Sequence, residues 1–341
     1  MDDAKVRAAL GDREGWIVGG AVRDELLGRP ILDLDVATRD PRAAAHAYAE
    51  LHGGAVFPLS DQHGAWRVAT GPEETVDFTP LPNGIEHDLA TRDFTFNAIA
   101  VPVGGGERCD PHGGRADLAA GVVRAVSDSV FVDDPLRLVR AVRFEDELGF
   151  RMDEHTEALV RDSAGLVDRP AGERILAELR RLSASGYRRL DELGLLRPLG
   201  GSPDGRIGTV DDPDFRLVAV LGESLRHLPI SNELRRYAAT LLRAEPPADD
   251  SPRAIHRFRR ATEPWTLDAL AFVGRLELAG RVEEARRKDP SEPLVRGDEL
   301  GLPAGPEIGR ILAIIDEERA VGTISTREEA LALGRSLAVG T

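Results

Sequence analysis

The chain has 341 residues, 42% hydrophobic and 30% charged, which is too long for one ordinary core and fits a globular protein of several domains. No apolar run approaches the length that crosses a bilayer. The acidic start Met1-Asp2-Asp3 lacks a basic, apolar leader, and the single cysteine, Cys109, excludes an internal disulfide, so a cytoplasmic protein with no membrane partner is expected. Lys and Arg number 44 against 59 Asp and Glu, a net charge of −15, so the chain is no general polyanion binder and any nucleic acid has to meet a local basic strip.

Along the chain, residues 14–126 mix short strand-like runs (15–18, 31–37, 65–69, 75–79 and 97–103) with helices. Beyond Asp134 the pattern is helical almost to the end, broken where Pro and Gly cluster at 197–208 and 245–252. An α/β part followed by an all-helical remainder predicts an α+β catalytic domain with helical domains appended.

The first run ends in Gly19-Gly20, and a helix follows that stops near Gly28. Glycines at a strand-to-helix turn let backbone N–H groups approach phosphate oxygens, and Arg23 lies within reach of the same anion. The next run, Ile31-Leu32-Asp33-Leu34-Asp35-Val36-Ala37, places Asp33 and Asp35 on one face and Leu32, Leu34 and Val36 on the other. Two adjacent carboxylates repel each other, and a divalent cation with a preference for hard oxygen ligands, such as Mg2+, resolves that repulsion. Asp77, in the alternating run Thr75-Val76-Asp77-Phe78-Thr79, is expected as a third carboxylate from a neighbouring strand. Three acids allow a two-metal phosphoryl transfer.

Further on come Arg92-Asp93-Phe94-Thr95-Phe96-Asn97-Ala98, Asp110-Pro111-His112-Gly113-Gly114, and Asp133-Asp134-Pro135-Leu136-Arg137-Leu138-Val139-Arg140-Ala141-Val142-Arg143-Phe144, followed by Glu173-Arg174-Ile175 with Glu178. With the Gly-Gly and Asp-x-Asp elements, this series resembles the bacterial class II tRNA nucleotidyltransferase and poly(A) polymerase family of the polymerase-β-like superfamily. Residues 294–312 are also similar to the C-terminal segment of CCA-adding members.

The resemblance implies a polymerase-β-like head (1–126), a helical neck carrying base recognition (127–185), a helical body (186–290) and a helical tail (291–341). It implies that Gly20 and Arg23 meet the nucleotide phosphates, that Asp33 and Asp35 bind magnesium, and that Arg92 and Asp93 sit at the ribose. Asp134 and Arg137 would read the base in place of a nucleic-acid template. Asp accepts from the exocyclic amine that CTP and ATP share, and Arg donates to ring acceptors. Arg140 and Arg143, each three residues further along a helix, continue the row toward the phosphates. The implied partners are the 3′ end of tRNA, CTP and ATP, with no DNA. Candidate strips for RNA are Arg253, His256, Arg257, Arg259 and Arg260, and then Arg286, Arg287 and Lys288.

The sequence departs from the family pattern in three places. Thr91 stands where an arginine is usual, and Asp133 where glutamate is usual. Residues 78–87 are a short connection where CCA-adding members carry a longer flexible loop, a shortening that resembles enzymes adding only the two cytidines. Poly(A) polymerase is the nearest alternative. A catalytically silent RNA-binding protein on the same fold is a second, and the retained acids argue against it.

Overall fold

The computed structural model describes residues 3–31, 33–60, 64–71, 74–202, 204–290, 292–303 and 305–339. Leu32, expected on the apolar face of its strand, lies outside the described residues. Two compact units are present, Met1–Gly200 and Gly201–Thr341. That boundary falls inside the segment 186–290 expected as the body.

The first unit opens with α1 (Ala4–Leu10), β1 (Gly15–Val18), α2 (Gly20–Leu26), β2 (Asp33–Thr38) and α3 (Pro41–His52). The strands β3 (Ala55–Ser60), β4 (Ala65–Ala69) and β5 (Thr75–Pro80) follow, then α4 (Ile85–Ala90) and β6 (Ala100–Pro102). Six strands form one sheet in the order β3-β4-β5-β2-β1-β6. Within this sheet, among the described residues, only β2 and β5 run parallel. The period of two then separates the faces. Val36, Val68, Val76 and Phe78 pack with Val6, Leu10, Ala44 and Tyr48 of α1 and α3. On the opposite face, Val18 and Ala37 pack with Leu81, Ile85 and Leu89. Asp33, Asp35 and Ala37 share that second face, so the Asp-x-Asp pair stands at the open end of a strand whose other end is core. β3 was not expected from the sequence.

The unit continues with α5 (Gly114–Ala120), β7 (Val122–Val123), α6 (Val130–Asp133), α7 (Leu136–Leu148), β8 (Arg151–Met152), α8 (Glu154–Asp162), α9 (Gly172–Leu179) and α10 (Ala184–Glu192). Phe94, Phe96, Phe131 and Phe144 are fully buried. Their edge and stacked contacts, with ring centroids 5.2–6.5 Å apart, join α7 to the segment after α4.

The second unit is helical, as the sequence pattern predicts: α11 (Pro213–Leu221), α12 (Asn232–Arg243), α13 (Pro252–Thr262), α14 (Thr266–Phe272), α15 (Ala279–Arg287), α16 (Pro306–Ala320) and α17 (Arg327–Val339). Ser231, Ser251 and Asp212 cap α12, α13 and α11 through their side chains. No helix of the described residues is long and apolar enough to cross a membrane.

Candidate active site

β1 ends at Val18 and the chain turns sharply into α2 at Gly19, whose φ is 70°. A Cβ at Gly19 would lie 2.7 Å from Arg92 Nη1 and 3.2 Å from Asp35 Oδ2. Only glycine admits both the left-handed backbone and this approach. The turn, Asp35 and Arg92 are thereby brought to one place, beside a cleft of about 840 Å³. Its lining includes Gly20, Arg23, Asp33, Asp35, Arg92, Asp93, Asp134, Arg137, Arg140 and Arg143. Of the residues expected at the site, Asp77 alone does not line it.

The register explains Asp77. Asp35 faces Asp77 across the parallel pair, and Arg67 of β4 faces Asp77 from the other side. Arg67 Nε and Nη2 donate to the two Asp77 oxygens at 2.7 Å each, a bidentate fork. Asp77 therefore stands beside Asp35 across the strand pair, with its carboxylate held by an arginine. Thr75 Oγ1 donates to Asp33 Oδ1 at 2.7 Å. Among the described residues, no group of three or more His, Cys, Asp or Glu side chains is placed to hold a metal ion.

Asp33 and Asp35 remain as the acidic pair of the cleft. Burial pushes the Asp35 carboxyl up to about 6; the Arg92 guanidinium opposes this, and the nearby Asp77 and Asp33 carboxylates add to it. A carboxylate with this surplus of neighbouring negative charge is relieved by a cation. Two hard oxygen donors on one strand face fit a divalent ion such as magnesium.

The arginine row is more tightly engaged than its sequence spacing suggests. Asp93 is buried and accepts from Phe94 N (2.8 Å), Asn97 Nδ2 (2.9 Å) and Arg140 Nε and Nη2 (2.9 and 2.6 Å). Burial alone would raise its carboxyl, but Arg140 and these hydrogen bonds hold it below the usual range. Asn97 Oδ1 in turn accepts from Arg23 Nη1 at 3.0 Å, and Arg23 also pairs with Asp24. Arg143 donates to Glu178 at 2.5 Å and Glu147 at 2.6 Å, and Arg140 also reaches Glu178 at 3.3 Å. The Phe144 ring lies beneath all three guanidinia, 4.1 Å from Arg143, 5.3 Å from Arg23 and 5.4 Å from Arg140. Asp93 and Arg140 are paired with each other, Arg143 is paired with Glu178 and Glu147, and all three line the cleft wall.

At the base-reading end, Asp134 lies just before α7 and accepts from Arg174 Nη2 at 2.7 Å and Nη1 at 3.3 Å. Burial pushes its carboxyl up, but Arg174 outweighs this and holds it low. Arg137 donates to the Thr91 carbonyl at 2.7 Å. That contact uses the backbone, so threonine in place of arginine at 91 leaves it intact. Arg92 is steadied by Asp88, one helical turn earlier, at 2.9–3.0 Å. Asn97, Glu178 and Arg67 were given no role from the sequence. The Asp88–Arg92 spacing was a signal that could have been read, whereas the partners of Glu178 and Arg67 lie on distant elements.

The basic strips of the second unit are mostly neutralised within it. Arg253 and Arg257 pair with Glu317, Arg259 with Glu263 and Asp289, Arg286 with Glu263 and Glu283, and Lys288 with Glu284. Arg260 and Arg287 form no ion pair among the described residues, and burial lowers the His256 imidazole, with Arg260 adding to the effect.

The Poly A polymerase head domain family matches residues 15–81 and 63–124. An A-adding tRNA nucleotidyltransferase of Deinococcus radiodurans is 33% identical, with 93% of this chain and 94% of the relative covered. The chain belongs to the tRNA nucleotidyltransferase family. Within that family, a CC-adding tRNA nucleotidyltransferase of Thermus thermophilus is 31% identical over 94% of this chain and 93% of its own length. A CC-adding relative of Geobacter sulfurreducens is 47% identical over 49% of this chain and 40% of its own length. Among solved structures, a CCA-adding enzyme in complex with ATP has a TM-score of 0.81 at 22% identity, covering 99% of this chain and 94% of its own. The Thermotoga maritima CCA-adding enzyme complexed with tRNA has a TM-score of 0.75 at 23% identity, covering 97% and 94%. These structures share the fold of this tRNA nucleotidyltransferase family member, including its mixed sheet and helical remainder.

Proposed function

We propose that this chain transfers cytidylate from CTP to the 3′ end of tRNA without a nucleic-acid template. One observation carries the reading: ten residues singled out from separate sequence motifs, from Gly20 to Arg143, line a single cleft. Two relatives covering the chain almost end to end are named tRNA nucleotidyltransferases, one CC-adding and one A-adding. Asp33 and Asp35 would hold magnesium, which supplies charge stabilisation on the triphosphate and lowers the pKa of the attacking 3′-hydroxyl. Arg92, next to Asp35 and held by Asp88, would meet the nucleotide at its ribose. Asp134 and Arg137 select the base, with Arg174 fixing the orientation of the Asp134 carboxylate. Arg140, Asp93, Asn97 and Arg23 form a connected wall that holds these groups at fixed spacing. Asp77, opposite Asp35 and held by Arg67, would be the third carboxylate beside the pair.

Addition stops after the cytidines. β5 ends at Pro80 and α4 begins at Ile85, so four residues join them. Leu81 is buried and its N–H donates to the Thr38 carbonyl at 2.9 Å. An anchored turn of this length has no slack to reshape the base pocket between a pyrimidine and a purine. Addition of the terminal adenosine alone is a second reading, favoured by the name of the Deinococcus relative. Two tRNA substrates, one ending at the discriminator base and one ending in CC, incubated with CTP or ATP separately and together, test both. Extension of the first by two cytidines and no extension of the second supports CC addition. Extension of the second alone by ATP replaces it with A addition, and no extension of either overturns the activity.

A further inference from the structure

Away from the acids, at another part of the same cleft wall, three guanidinia meet on one carboxylate. Glu147, in the last turn of α7, accepts from Arg143 Nη1 at 2.6 Å, Arg181 Nη2 at 3.1 Å and Arg29 Nη2 at 3.2 Å. The three arginines come from separate parts of the chain: the turn after α2, α7 itself and the segment following α9. All four residues line the cleft with Asp33 and Asp35. Glu178 also holds Arg143 while reaching Arg140, so three guanidinia against two carboxylates leave an excess of about one positive charge. Burial would raise the Glu147 carboxyl, but Arg143 and Arg181 hold it low, so it stays ionised as the hub of the cluster.

Structural ion pairing alone accounts poorly for Arg29 and Arg181. Their side chains are 40% and 57% exposed, and each touches Glu147 through a single Nη2. Pairs this exposed contribute little to stability. Arginine carries five N–H donors in a planar fork suited to phosphate. The remaining donors of Arg29 and Arg181 stand at the cleft with their positions already set by Glu147.

We propose that Arg29 and Arg181, organised by Glu147 with the buried Arg143 behind it, form an anion seat that takes a phosphate group of a substrate during nucleotidyl transfer. The seat rests on the activity proposed above for the role of that phosphate, but its existence does not. The phosphate belongs either to the triphosphate tail of the nucleotide or to the backbone of the RNA end. Glu147 is a positioning residue in this seat, and Arg29 and Arg181 contact the anion.

The test uses the full chain with Arg29→Ala, Arg181→Ala and the double variant, and with Arg29→Lys and Arg181→Lys to keep charge while losing the fork. Circular dichroism and melting confirm that each folds. Binding of CTP and of inorganic pyrophosphate is titrated without RNA, and KM for CTP and for tRNA is measured as a function of salt. Loss of a charge-assisted contact weakens the affected ligand by roughly ten-fold or more. A loss confined to CTP and pyrophosphate supports the seat and assigns it to the triphosphate tail. A loss confined to tRNA, with a shallower salt dependence, supports it and assigns it to the RNA backbone. Unchanged affinity for all three ligands in the folded double variant overturns the seat. Wild-type chain that binds CTP or pyrophosphate through these arginines yet extends no tRNA would remove the proposed function and leave the seat standing.

Discussion

On α7, Arg137, Arg140 and Arg143 follow one another at intervals of three; on α13, Arg253, Arg257 and Arg260 run at intervals of four and three. The two rows look alike in sequence. In space, Arg143 is 4% exposed and locked between Glu178 and Glu147 over an aromatic ring, whereas Arg257 is 66% exposed and pairs with Glu317 at the surface. Burial pulls the Arg143 guanidinium down, and the neighbouring Glu178 only partly restores it; the hydrogen bond from Arg257 to Glu317 moves Arg257 the other way. Spacing on a helix therefore says which residues share a face. What they do depends on the carboxylates that distant elements bring against that face, and on whether water is excluded.

Changes inside the cleft should accordingly cost far more than equivalent changes on α13. The largest effect is expected at the acids: Asp33→Ala or Asp35→Ala should lower nucleotide incorporation by on the order of a thousandfold or more, while the metal-free protein melts no lower than wild type. Single-turnover incorporation and melting in chelator check this, and retained turnover would remove Asp33 and Asp35 from the chemistry. Next comes Glu178→Ala, which removes one of the two carboxylates that hold the buried Arg143 and should destabilise folding by about 1.5–3 kcal/mol in denaturant titration.

Asp35 also gives a pH signature. Its carboxyl is raised in the folded state to about 6 from 3.8, so the stability it contributes when protonated is complete below about 3.8 and is lost as pH rises through about 6. Without metal, Asp35→Asn should therefore be more stable than wild type at pH 7.5, by at most about 3 kcal/mol. The gap should close below pH 4, and a pH-independent gap would mean that the charge of Asp35 is not what strains the fold.

Asp134→Ala should relax discrimination against UTP and GTP by about ten- to a hundred-fold, as expected for a charged hydrogen bond of roughly 1.5–3 kcal/mol. Competition assays with all four nucleotides read it, and an equal slowing of all four would assign Asp134 to structure. The smallest effect is expected for Arg257→Ala, which should melt close to wild type. A larger loss would erase the contrast between the two rows.

Much of the site was legible because its residues act through local geometry. Gly19 and Gly20 mark a turn, Asp33 and Asp35 share a face by strict alternation, and Asp134 to Arg143 share a helix by spacing. Cross-strand and inter-helix partners were not legible. Nothing in the run Ala65-Trp66-Arg67-Val68-Ala69 says that Arg67 lies opposite Asp77, because register is fixed by the packing of Val68 against Val76 and the α3 core. The arginine partner of Asp77 was hidden for that reason. β3 was missed because its apolar residues do not alternate and Pro58 interrupts them, as suits an edge strand. The helical remainder was read correctly in class. The pairing of its arginines depended on where Glu317 and Asp289 fall, which periodicity does not reveal.

The parallel pairing of β2 with β5 has a consequence for the order of assembly. Asp33 and Thr75 are 42 residues apart in sequence, and α3, β3 and β4 lie between them. A parallel neighbour cannot be reached by a tight turn, so this contact closes only after a long loop has been organised, and contacts of such separation form slowly. The two acids therefore meet their Thr75 and Asp77 neighbours late, once the hydrophobic face beneath them is already in place. A nascent chain released before residue 80 has its aspartates but not the wall that sets them, and amide protection in refolding should reach the β3–β4 hairpin before it reaches β2.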